Sequence, residues 1–167
     1  MTHLRQLCLS AFIFLTACTV SLLPDYDQKL HQGLNDANKD AHILFSALSG
    51  GSSKAQFSKH AAQYHKVIGS FGALLTRAKT RPQPDGAQKI SSKFRKLPKL
   101  GEICAEVEAD QGCAIVTPRA INEIIETLSK MRDRHKTRGL PDGLLTLLVA
   151  DYEISIEQAL TVEAALQ

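Results

Sequence analysis

The sequence predicts an all-α protein, a four-helix bundle of two antiparallel hairpins joined by a disulfide-stapled crossover. Three observations carry this. Apolar residues recur every three or four positions in four separate stretches, which puts them on one stripe of a helix each time. Glycines, Gly50-Gly51 and Gly139, close the first and third stretches, and the links that follow are too short for anything but a reversal. A single long connection separates the second stretch from the third, which is how many bundles of two hairpins are wired.

In the first stretch Tyr26, Leu30, Leu34, Ala37, Ala41, Leu44 and Leu48 share a stripe. Asp25 and Asp27 suit the positive end of that helix, and Gly50-Gly51 stops it. The second takes Ser52 or Ser53 as cap and carries Phe57, Ala61, Tyr64, Val67, Phe71, Leu74 and Ala78, with Pro82 and Pro84 ending it. Gly69 and Gly72 on this helix predict a close approach to a neighbour. The third opens with Thr117 as N-cap and Pro118 at the first helical position. Its buried face is Ile121, Ile124, Ile125, Leu128 and Met131, and Arg132, Arg134, Lys136 and Arg138 gather near its C-terminal end, where the dipole favours cations. The fourth begins at Pro141-Asp142 and shows Leu145, Leu148, Tyr152, Ile156, Ala159, Val162 and Leu166. Leu144 to Val149 is apolar on nearly every side, so that turn is expected to be deeply buried. The core read from the stripes is Leu30, Leu44, Phe57, Tyr64, Phe71, Leu74, Ile124, Leu128, Leu148, Tyr152 and Ile156. Between the hairpins, prolines and Asp85-Gly86 mark a loop within Thr80 to Val116. Ser91 to Leu97 allows a helical turn, and Ile103, Ala105 and Val107 fit a short helix or a strand.

The amino end reads as an export signal. Met1 to Arg5 is a short positive segment and Leu7 to Leu15 an apolar core, too short for the roughly 20 residues a bilayer span needs. Leu15-Thr16-Ala17-Cys18 follows and is similar to the lipobox of bacterial lipoproteins. That resemblance implies a signal peptide 1–17 cut before Cys18, fatty chains such as palmitate carried by Cys18, and a lipidated linker 18–23. The helical domain is then 24–167. Thr19 carries no acidic retention signal, which by the same resemblance points to the outer membrane, facing the periplasm. Five or six extended residues reach at most ~20 Å, so the domain is expected close against the headgroups.

Cysteine use fits that compartment. With Cys8 removed and Cys18 lipidated, Cys104 and Cys113 remain, most simply a disulfide in an oxidising environment. A ring of roughly ten residues stabilises by about 2.7 kcal/mol in the chain-entropy picture. The formal charge of +3 falls to +2 once Arg5 leaves with the signal. It is unevenly spread. Eight basic residues lie between Arg77 and Lys99 against Asp85 alone, and beyond Gly139 there are five acids and no Lys or Arg. In an exported protein the basic run suits anionic headgroups or an acidic protein surface and not nucleic acid.

The mature chain also resembles a group of small bacterial lipoproteins. The features carrying this are Pro24-Asp25-Tyr26-Asp27, Leu74-Leu75-Thr76-Arg77-Ala78, the helix from Ile121 to Arg138, Gly139-Leu140, and the last helix from Ala159 to Leu166. The resemblance implies a helical lipoprotein and brings no activity with it. The Leu-Thr-x-x-Gln repeats of certain periplasmic chaperones are missing: Leu160-Thr161 is followed by Ala164, and Leu75-Thr76 by Lys79.

No catalytic set is recognisable. There is no Gly-x-Ser-x-Gly elbow, and Ser46, Ser49 and Ser70 sit on helices without a base and orienter. Glu153 and Glu157 at four-residue spacing read as surface charge. His42 and His60 lie at equal distances from the first hairpin turn and are the best metal candidates, while His65 is off their geometry and Glu-x-x-His motifs are absent. His135, four residues after Met131, is expected to help cap the helix dipole. Neither a cofactor nor an enzyme is expected. The leading expectation is a non-enzymatic protein-binding or scaffold module of the cell envelope, docking an envelope protein. The alternative is a carrier of a small ligand or metal within the bundle.

Overall fold

A computed structural model of the protein describes residues 24–82 and 116–167. The signal segment, Cys18, the Cys104–Cys113 pairing and most of the basic run lie outside those residues. Among the described residues four long helices form: α1 Gln28–Leu48, α2 Phe57–Thr80, α3 Val116–Arg138 and α4 Asp142–Ala164, with a 3-10 turn, Lys54–Gln56, leading into α2. Each packs on its neighbour in sequence and α1 packs on α4, so the four close a ring around one core. The protein is the expected all-α four-helix bundle. No described helix is long and apolar enough to cross a membrane.

The chain reversals set the directions. The α1–α2 and α3–α4 turns meet at one end of the bundle, joined by an antiparallel bridge between Ser52 and Leu140. α1 and α3 therefore run toward this closed end, and α2 and α4 run away from it. At the other, open end lie the start of α1, the end of α2, the start of α3 and the end of α4.

Local chemistry explains the helix starts. Asp27 caps α1, its carboxylate accepting from the Leu30 N–H at 3.0 Å. Ser53 and Gln56 form a capping box around the 3-10 turn, with Gln56 Oε1 accepting from the Ser53 N–H. The second segment thus begins with a tight turn, and α2 starts at Phe57. Thr117 is not the cap of α3. It lies inside the helix, and its hydroxyl donates to the Glu163 carboxylate across the core at 2.7 Å. Pro118 still sits in the first turn, where its missing N–H costs nothing.

Most of the expected core is buried, including Leu30, Leu44, Tyr64, Phe71, Ile124, Leu128, Tyr152 and Ile156. Phe57, Leu74 and Leu148 are only partly buried, packed on its margin. The apolar turn Leu144–Val149 departs most from expectation. Only Leu145 is buried, and Leu147 is 66% exposed. An α-helix can turn just one stripe inward, so an all-round apolar turn in a ring of four must leave part of itself in water. The close helix approach is also elsewhere. A Cβ on Gly69 or Gly72 would meet nothing within 4 Å, whereas one on Gly33 would come within 2.5 Å of Leu74 Cδ2. Where α1 crosses α2, Gly33 leaves the room that the Leu74 side chain occupies, and a larger residue there would make Leu74 shift.

Candidate functional site

The closed end is built from backbone. Gly51 and Gly139 hold φ of +89° and +81°, the left-handed region that favours glycine. A Cβ on Gly51 would lie 2.8 Å from the Leu140 carbonyl oxygen, and one on Gly139 would lie 3.0 Å from that of Ser52. That closeness lets Ser52 and Leu140 exchange two hydrogen bonds, at 2.8 and 2.7 Å.

Beneath them lies His135, fully buried. Its place near the end of α3 predicts a cap for the helix dipole, but it instead ties three segments together. The Ser53 carbonyl can only accept, so His135 Nε2–H donates to it at 3.1 Å. Nδ1 is then the acceptor for the Tyr64 hydroxyl at 3.3 Å. Burial pushes the imidazole below its ordinary pKa, and the nearby His60 ring, 5.8 Å away, acts in the same direction against the Ser53 hydrogen bond. Burial likewise raises the Tyr64 phenol and keeps its proton in place to donate. Phe57 covers the imidazole edge-on at 5.4 Å. The result is a neutral, satisfied histidine in a structural lock.

His42 and His60 go to different places. His42 lies edge-on to Phe45 and Tyr152, 5.8 and 6.4 Å away, toward the α1–α4 seam. His60 turns to His135 on α3 and to Gln63 beside it. Their equal distance from the turn puts them at one level, but helix phase aims the rings at different neighbours. Among the described residues no three His, Cys, Asp or Glu side chains converge as a metal site. Tyr152 fills the middle of the bundle, its hydroxyl donating to Asn38 Oδ1 at 2.9 Å and its ring packed against Phe45 and Phe71.

The open end is built from charge. Arg81 meets Glu163 in a two-pronged pair at 2.8 and 3.0 Å, with side chains only 6% and 0% exposed, and Thr117 donates to the same carboxylate. Nothing in the local sequence marks this pair, because its partners are 82 residues apart. Nearer the surface, Arg77 grips Asp27 at 2.6 and 2.8 Å. Burial opposes ionisation of Asp27, but the Arg77 guanidinium and the Leu30 N–H outweigh it and hold the carboxyl below its usual range. Gln167 at the C-terminus donates to the Tyr26 hydroxyl at 2.9 Å.

Shallow depressions of about 400 Å³ and 380 Å³ lie at the closed and open ends. The remaining distinctive feature is a surface. Leu147 and Ile154 on the outside of α4 are 66% and 60% exposed, and Asp142, Asp151, Glu153 and Glu157 are exposed around them. What this surface offers is contact area and charge. Compared with models of known families, with curated proteins and with solved structures, the chain matches none.

Proposed function

We propose that the chain is a bacterial lipoprotein, lipid-anchored through Cys18 on the outer membrane and facing the periplasm, whose helical bundle is a non-enzymatic protein-binding or scaffold module of the cell envelope. The observation that carries this reading is Leu15-Thr16-Ala17-Cys18, which puts a lipid-accepting thiol six residues before Pro24. A tether of that length spans at most ~20 Å. Pro24 leads into α1 at the open end, so lipid on Cys18 would set the open end toward the bilayer. Helices of 21 to 24 residues would then carry the closed end roughly 30 Å outward. Among the described residues the inward faces pack into one core, and the exposed outer helix faces supply contact area for a partner. The alternative, a carrier of a small ligand or metal within the bundle, draws less support, because the His42 ring lies by Tyr152 of α4 and the His60 ring by His135 of α3.

The test is photo-crosslinking in cells from exposed positions on each helix, with fractionation of the same cells. We expect membrane-bound protein and discrete adducts to an envelope protein, with both lost in Cys18→Ser. Absence of adducts from every helix, or unchanged membrane attachment of Cys18→Ser, would contradict the reading.

A further inference from the structure

We infer that the outer face of α4 is a docking surface for a cationic amphipathic helix of a partner protein, an inference that rests on the protein-binding reading above. Leu147 and Ile154 are seven residues apart, hence two turns apart on one stripe, with exposed Ala150 between them. At 100° per residue, Asp151 falls on one edge of that stripe and Glu153 and Glu157 on the other. None of these carboxylates forms an ion pair among the described residues, whereas the inward Glu163 is paired with Arg81. α4 itself carries no Lys or Arg that could pair with them along the helix.

An apolar stripe at seven-residue spacing, with carboxylates on both edges that no described residue pairs, is one half of a coiled-coil-like seam. Its complement carries apolar side chains at three- and four-residue steps and Lys or Arg on its flanks. A second copy of α4 does not meet that description, because self-pairing in either direction sets acidic edge against acidic edge. Anionic headgroups are repelled by the same carboxylates.

The test titrates the full chain with a synthetic Lys/Leu amphipathic helix and with the same peptide carrying Glu for every Lys. The Lys/Leu peptide should bind saturably and weaken as ionic strength rises. Leu147→Ser with Ile154→Ser should weaken it about tenfold or more, since two side chains lose their burial on binding. Asp151→Lys with Glu157→Lys should do the same, and the Glu/Leu peptide should not bind. Thermal unfolding by circular dichroism checks that these exposed substitutions leave the bundle folded. Equal binding to the variants, or equal binding of the Glu/Leu peptide, overturns the inference. So does a dimer that Leu147→Ser dissolves, which makes a second copy the occupant, or attachment to neutral phosphatidylcholine vesicles that the same variant abolishes. In cells, adducts from the outer face of α2 with none from position 147 would remove the α4 surface and leave the protein-binding reading standing. Absence of adducts from every helix removes both.

Discussion

The two ends of the bundle hold the same four helices together by opposite means. At the closed end two left-handed glycines let backbone touch backbone, and His135, buried beneath them, is neutral and hydrogen-bonded at both ring nitrogens. At the open end the helices are joined by charge, with Arg81–Glu163 buried and Arg77–Asp27 nearer water. The difference shows where each end is vulnerable. A backbone lock fails through shape and through protonation of the histidine under it. A buried ion pair fails when one partner is lost, because the other is stranded in a poor solvent for charge.

The largest effect is therefore expected at the open end. Glu163→Ala leaves Arg81 buried without its carboxylate and should cost about 3–5 kcal/mol in denaturant unfolding. Replacing both, Arg81→Met with Glu163→Leu, should recover most of that loss. If the double variant is no better than the single one, the pair is not a coupled unit. At the closed end, Gly139→Ala forces a side chain into the left-handed region and against the Ser52 carbonyl, for about 2 kcal/mol by the same measurement.

The ends should also separate by pH. His135 titrates below its ordinary value in the folded chain, whose unfolded counterpart takes up a proton near pH 6.5. Above that pH both states are neutral and nothing changes. Below it the unfolded chain holds a proton that the folded one refuses, so stability drops by up to ~1.4 kcal/mol per pH unit until the folded pKa is reached. The groups facing His135 are His60 and Tyr64. His60→Gln should weaken the dependence and His135→Gln should remove it, as read from unfolding free energies between pH 7 and 5. Asp27 has the same sign in a more acidic window. Its contribution is present above pH 3.8 and is lost as the pH falls through its lower folded value. The smallest effect is Asp27→Ala, about 1 kcal/mol from the lost helix cap.

How much of this was legible in the sequence follows the same division. The stripes, the glycine turns and the acidic start of α1 were readable because each is written within a few residues, and the periodicity of α1 predicts its buried face almost residue for residue. The 3-10 entry to α2 had a signal too, Ser53 and Gln56 at capping-box spacing. Gly33 could not be told from Gly69 or Gly72, because what matters is the Leu74 side chain that each helix crossing brings close. Pairing of Arg81 with Glu163 and burial of His135 depend on contacts more than seventy residues apart, to which no local pattern points. The Leu144–Val149 turn misled for another reason. Apolar composition gives the amount of hydrophobic surface but not the direction it faces, and on α4 part of it faces out.

We propose that lipid on Cys18 presents this bundle from its charged, open end. Its most direct test is the intact mass of the protein extracted from the membrane fraction. We expect a chain beginning at Cys18 with diacylglyceryl and acyl groups on that residue. An unacylated chain with a different first residue, recovered from the soluble fraction, would contradict the account.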